Sequence, residues 1–70
     1  MIEKFLNGKR VLITGAASGF GRGVVFECAK RGADLVLVDI KEKELEMTAQ
    51  EVKRKYNQKA IPIVCDVSHS

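Results

Sequence analysis

The sequence predicts an α/β chain: one β-α-β-α-β unit with parallel strands in the order 3-2-1, an incomplete part of a doubly wound sheet. Three observations predict it. Short apolar, β-branched runs alternate with longer segments whose apolar residues recur at helical spacing. A run with three glycines, Thr14-Gly15-Ala16-Ala17-Ser18-Gly19-Phe20-Gly21, joins the first apolar run to the first helical segment. Each strand-like run is apolar at both odd and even positions, the mark of a sheet covered on both faces.

The elements follow in order. Lys9-Arg10-Val11-Leu12-Ile13 supports a strand over 9–14, and Val25, Cys28 and Ala29 give an apolar stripe to a helix over 19–31 that Gly32 closes as a C-terminal cap. Gly23 inside that helix costs about 1 kcal/mol against alanine, so a close approach to the strand or to a ligand is expected there. Leu35-Val36-Leu37-Val38 builds a second strand over 34–39 that ends on Asp39. In a helix over 41–56, Leu45, Ala49, Val52 and Tyr56 form the apolar stripe. Glu42, Glu44 and Glu46 lie early in it and Lys53, Arg54 and Lys55 late, which suits the helix dipole at both ends, and Glu51 and Lys55 add an i, i+4 pair. Ile61-Pro62-Ile63-Val64 belongs to a third strand over 60–66, and Pro62 fits an edge position where a missing donor is tolerated. Right-handed crossovers then give the strand order and put both helices on one face. Two helices leave the other apolar face bare. The expectation is that residues 1–70 are the N-terminal part of a single larger domain, or that they pair with another chain to complete the sheet.

The glycine run carries the chemistry. Glycine accepts backbone angles closed to other residues and lets main chain approach a ligand. The N–H groups at a helix start, with the positive end of its dipole, meet a pyrophosphate. Alone, such a triplet also closes hairpins and caps helices, and an aspartate ending a strand also serves turns and caps. Order adds what the triplet lacks. Eighteen residues after Gly21, Asp39 ends the second strand where a ribose-binding acid of a βαβ unit stands.

The spacing Gly15-x-x-x-Gly19-x-Gly21 after Thr14 resembles that of short-chain dehydrogenases/reductases. So do the approach Leu6-Asn7-Gly8-Lys9-Arg10-Val11-Leu12-Ile13 and the segment Cys65-Asp66-Val67-Ser68, and the resemblance spans essentially the whole chain. It implies a Rossmann-type sheet, a nicotinamide dinucleotide, and oxidation or reduction of an alcohol or carbonyl substrate. By position it implies that Gly15, Ser18, Gly19, Phe20 and Gly21 surround the pyrophosphate, that Asp39 binds the adenosine ribose and that Asp66 and Val67 hold the adenine. Phe20 departs from the isoleucine or leucine more usual there, which alters pocket shape while leaving its backbone N–H available. The family's serine, Tyr-x-x-x-Lys pair, asparagine and Asn-Ala-Gly turn all fall beyond Ser70, so no catalytic residue is assigned. In Tyr56-Asn57-Gln58-Lys59 the lysine comes one residue too early to face the tyrosine, and Tyr56 reads as a core-edge aromatic.

Cofactor choice follows from charge. Asp39 hydrogen-bonds the ribose hydroxyls of NAD and repels the 2′-phosphate of NADP, and neither Ser18 nor Ile40 supplies a cation. NAD is favoured, with Lys41 and Arg22 near enough in sequence to keep NADP as the alternative. At 46% hydrophobic and 30% charged, the chain reads as neither disordered nor membranous, and a cytoplasmic protein is expected. No apolar run approaches the roughly 18 residues of a membrane span. Cys28 and Cys65 lack metal-ligand spacing and read as buried reduced thiols, and His69 has no companions, so no metal site is expected. The net charge of +3 is spread among nine acids without an aromatic-basic platform, which argues against nucleic acid. By the same resemblance, a complete enzyme forms homo-oligomers. Two functions stay open: the cofactor-binding start of a dehydrogenase, and a nucleotide-binding or assembly module without chemistry. A methyltransferase-like reading is weaker, because its glycine loop follows an acid at the end of strand one, where Thr14 stands. An in-frame continuation carrying Asn-Ala-Gly and Tyr-x-x-x-Lys separates the first two.

Overall fold

The computed structural model describes residues 8–66. The chain runs β1 (Arg10–Thr14), α1 (Gly19–Lys30), β2 (Asp34–Asp39), α2 (Glu42–Tyr56) and β3 (Ala60–Val64). All three strands are parallel, with β2 central in the order β1-β2-β3, the predicted 3-2-1 seen from the other edge. Leu12 pairs with Val36 and Val36 with Ile61, while Leu37 pairs with Pro62 on the edge strand β3.

Both helices pack on one face. Ile13 of β1, Leu35 and Leu37 of β2 and Ala60 of β3 meet Val25 and Ala29 of α1 and Leu45, Ala49 and Val52 of α2 in one core. Burying a leucine or valine of this kind contributes about 1.5–3 kcal/mol, so Leu35, Leu37, Leu45, Val25 and Val52 dominate the stability. Tyr56 sits at the core edge as expected, its ring 6.0 Å from that of Phe26. On the other face, Leu12 is 64% exposed, Ile61 55% and Ile63 45%. The apolar residues that made the strands read as covered on both faces are therefore present, and the two helices cover one face only.

Two turns at the amino end of the sheet are clasped together. After α1, Gly32 N–H donates to Ala29 O and Ala33 N–H to Cys28 O, the paired closure of a glycine-capped helix. After α2, Gln58 Nε2 donates to Gly32 O at 3.0 Å, Ala33 O at 3.1 Å and Asp34 Oδ1 at 3.0 Å, and Lys59 N–H also reaches Asp34 Oδ1.

Two expectations are corrected. Cys65 lies just past the end of the edge strand and is exposed, and Cys28 is half-buried on α1, so neither is a buried core thiol. Of the two causes expected for Gly23, approach to the strand is overturned: the residue is exposed, and a Cβ there meets nothing within 4 Å among the described residues. The close approach belongs to Gly21.

Candidate functional site

The carboxyl ends of the parallel strands bring Gly15, Ser18, Gly19, Phe20, Gly21, Asp39 and Asp66 to one end of the sheet. The loop from β1 to α1 turns at Gly15, with φ +66°, and again at Gly19, with φ +56°, a conformation that side chains resist. A Cβ at either position meets no atom of the described residues within 4 Å, so the loop presents open space there. Gly21 has the opposite constraint. A Cβ on it would fall 1.9 Å from the Gly15 carbonyl oxygen, so only a residue without one lets α1 start this close to the loop.

The start of α1 carries no side-chain cap and no acid of its own among the described residues. Ser18 is its N-cap, in extended conformation and with no side-chain cap hydrogen bond among the described residues, and the first turn carries no acid. The first N–H groups of a helix have no partner within it, and the first turn of α1 brings no carboxylate of its own to them. Phe20 lies in that turn with its side chain 89% exposed.

Asp39 ends β2 beside this loop and is buried. Its Oδ2 accepts the Ala17 N–H at 2.9 Å and its Oδ1 accepts the Lys41 N–H at 3.1 Å. The donated Ala17 N–H, then that of Lys41, hold its carboxyl below the ordinary carboxylate range. One side chain therefore serves two segments: Asp39 fixes the bend into α2 and also pins the glycine loop. Each carboxylate oxygen accepts more than one hydrogen bond, so these two contacts leave acceptor capacity for a ribose. Asp66 lies two residues past β3 at the same end and is exposed, with Cys65 N–H continuing the ladder to Asp39 O at 2.9 Å. Val67 lies outside the described residues.

Next to the loop, Ala17, Ser18, Gly19, Arg22, Glu44 and Met47 line a cleft of about 280 Å³. A larger one, about 480 Å³, is lined by Lys53, Asn57, Gln58, Lys59, Ala60 and Ile61 at the amino end of β3, remote from the glycine loop. Arg22, a candidate cation for NADP, is turned toward α2: its Nη2 donates to Glu51 Oε1 at 2.9 Å, its Nε to Thr48 Oγ1 at 3.3 Å, and its guanidinium carbon lies 5.0 Å from the centre of the Phe26 ring. Sequence reasoning missed Ala17, Glu44 and Met47. Ala17 contributes a backbone N–H, which no side-chain pattern reports. Glu44 and Met47 share a face three residues apart, and helical spacing alone does not say that this face borders the loop.

The sequence model of the short chain dehydrogenase family matches residues 9–70. The chain belongs to the short-chain dehydrogenase family. Among relatives, "11-beta-hydroxysteroid dehydrogenase-like 6" of Arabidopsis thaliana is 46% identical over 61 residues, covering 87% of this chain and 18% of that protein. "Short-chain dehydrogenase/reductase family 16C member 6" of Bos taurus is 42% identical over 67 residues, 96% of this chain and 21% of that protein. Among solved structures, L-sorbose reductase from Gluconobacter frateurii, complexed with NADPH and L-sorbose, superposes with a TM-score of 0.88 at 33% identity, over 90% of this chain and 24% of that one. This short-chain dehydrogenase sequence thus spans about a fifth of the length of the curated relatives it matches. Among its described residues, no helix is long and apolar enough to cross a membrane, and no group of three or more histidine, cysteine, aspartate or glutamate side chains is placed to hold a metal ion.

Proposed function

We propose that the chain is the dinucleotide-binding part of an oxidoreductase that moves hydride between a nicotinamide cofactor and an alcohol or carbonyl substrate. The observation that carries this reading is the open, acid-free start of α1 beside the buried Asp39 carboxylate. Gly15, Ser18, Gly19, Phe20 and Gly21 surround the pyrophosphate, with backbone N–H groups as donors. Asp39 takes the adenosine ribose hydroxyls, and Asp66 with Val67 takes the adenine. A bound nicotinamide supplies the hydride-transfer chemistry. The chain's own residues bind and orient: the glycine loop fixes the phosphates and Asp39 fixes the ribose, because both are tied to each other through the Ala17 N–H.

NAD is the preferred form on this reading. Asp39 is held ionised by its backbone donors, and in the adjoining cleft the Glu44 carboxylate offsets the Arg22 guanidinium, which is itself turned to Glu51, so a 2′-phosphate meets the charge of Asp39 without a free cation in the cleft lining to balance it. The sorbose reductase was solved with NADPH, which makes the discrimination the point to test. In a fluorescence titration of the wild type and Asp39→Ala with NADH and NADPH, NADH affinity should fall at least about tenfold in the variant while NADPH affinity rises. Equal NADPH binding before and after the substitution would sink the repulsion argument. The 70 residues alone should bind without turnover, since the Tyr-x-x-x-Lys spacing is absent from them. Measurable NAD-linked alcohol oxidation by them overturns that expectation. The whole protein, on this reading, is a cytoplasmic homo-oligomer with a small alcohol or carbonyl substrate, the present residues being the start of its single Rossmann domain.

A further inference from the structure

Resting on that cofactor reading, we infer that Glu51 of α2 is a specificity-determining residue: it rejects a 2′-phosphorylated dinucleotide by keeping the Arg22 guanidinium engaged. Ala17 lines the cleft beside the glycine loop and also donates its N–H to Asp39, so a ribose held by Asp39 brings its 2′ substituent to the mouth of that cleft. Of the six residues lining the cleft, Arg22 is the cation and Glu44 the anion. Acceptance of a phosphate monoester there depends on whether Arg22 can turn to it, because a guanidinium is the side chain best shaped to bind two phosphate oxygens at once.

Three contacts hold Arg22 back. Glu51 Oε1 accepts from its Nη2 at 2.9 Å, Thr48 Oγ1 accepts from its Nε at 3.3 Å, and the Phe26 ring lies under its face. Thr48 Oγ1 in turn donates to Glu44 O at 3.0 Å, which leaves its oxygen set to accept from Arg22. Of these, only Glu51 brings opposite charge. It is also the contact a phosphate has to displace. Glu51 is 27% exposed at its side chain and Arg22 41%, so the pair is shielded more than a surface ion pair, while Arg54, 3.9 Å from Glu51 Oε2, is 74% exposed and held more loosely. Glu51 stands outside the cleft lining, and so shapes cofactor choice through Arg22 and not by touching the cofactor.

The test uses the full chain and its binding of NADH, NADPH, adenosine 5′-monophosphate and adenosine 2′,5′-bisphosphate, with dissociation constants measured by fluorescence or calorimetry. Glu51→Gln keeps shape and an acceptor oxygen but removes the charge. It should tighten NADPH and the 2′,5′-bisphosphate by about tenfold and leave NADH and the monophosphate within about twofold. The double variant Arg22→Gln/Glu51→Gln should return to wild-type discrimination, because the gain passes through Arg22. Glu51→Asp, whose shorter side chain draws the charge back from Arg22, should give an intermediate gain and serves if the glutamine variant does not fold. NADPH affinity unchanged in both single variants, with NADH binding intact, overturns the gate and leaves the cofactor reading standing. A gain that persists in the double variant also overturns it. Failure of the folded wild type to bind either dinucleotide overturns both.

Discussion

The two strand-to-helix junctions at the carboxyl end of the sheet use their helix starts in opposite ways. Between β2 and α2 only Ile40 and Lys41 intervene, and α2 opens with Glu42 and Glu44 in its first turn while Asp39 holds the Lys41 N–H. Its positive end is met by the chain's own carboxylates. Between β1 and α1 four residues intervene, two glycines hold left-handed angles, and the first turn of α1 carries no acid. Both helices lie on the same face of the same sheet, so packing does not explain the contrast. The first junction forgoes local stabilisation of about 0.3–1 kcal/mol that an acid would supply, in keeping with the proposal that this helix start takes an external anion.

The largest effect should come from breaking the tight approach at the first junction. Gly21→Ala forces a Cβ against the Gly15 carbonyl and should destabilise the chain by about 3 kcal/mol, read from urea unfolding. Gly23→Ala, two residues on in open space, should stabilise it by up to about 1 kcal/mol. Two alanine variants with the same sign would refute the assignment of close approach to Gly21.

Next comes the side chain shared by both junctions. Asp39→Asn replaces an acceptor by a donor facing a backbone N–H and should cost about 1–3 kcal/mol near neutral pH. Asp39 has a folded-state pKa below its unfolded value of about 3.9, so its contribution is present above that value and is lost as pH falls through the lower folded one. Unfolding curves of the wild type and the asparagine variant should therefore converge in acid. A gap that stays constant from neutrality to below pH 3 contradicts the ionised clasp.

The smallest effect in stability sharpens the comparison most. Phe20→Glu gives the first junction what the second already has, and should raise stability by about 0.3–1 kcal/mol while weakening dinucleotide binding. Glu42→Gln does the reverse at the second junction, lowering stability by a similar few tenths and leaving binding unchanged. If Phe20→Glu binds as the wild type does, the anion belongs elsewhere.

The elements were legible because each has a local cause. Alternating β-branched runs mark the strands, the 45-49-52-56 stripe marks α2, and Gly32 marks the end of α1. Their bounds agree with expectation to within a residue or two, β3 ending at Val64 where the sequence suggested 66. The glycine loop and Asp39 were legible as a pair through their spacing. What was not legible depends on distance in space: that Asp39 reaches the Ala17 N–H across 22 positions, that Arg22 turns to Thr48 and Glu51, 26 and 29 positions away, and that Gly21 rather than Gly23 is the crowded glycine. Spacing along the chain reports faces of helices, and it does not report which face meets which loop.

The Gln58 clasp has a consequence for motion. It ties the two helix-to-strand turns together with one amide group at the end of the sheet away from the glycine loop. The amino ends of β2 and β3 should therefore be the last to part, while at the carboxyl ends the joining passes through Asp39, which takes the Ala17 N–H at its carboxylate and the Cys65 N–H at its carbonyl. Amide hydrogens of Ala33 and Leu35 should exchange with solvent slowly in every state, whereas those of Ala16 and Ala17 should exchange fast when nothing is bound and slow sharply once a ligand bridges the loop and Asp39. The glutamine end of the sheet is the tied one, and the opposite end is the one proposed to meet the nucleotide.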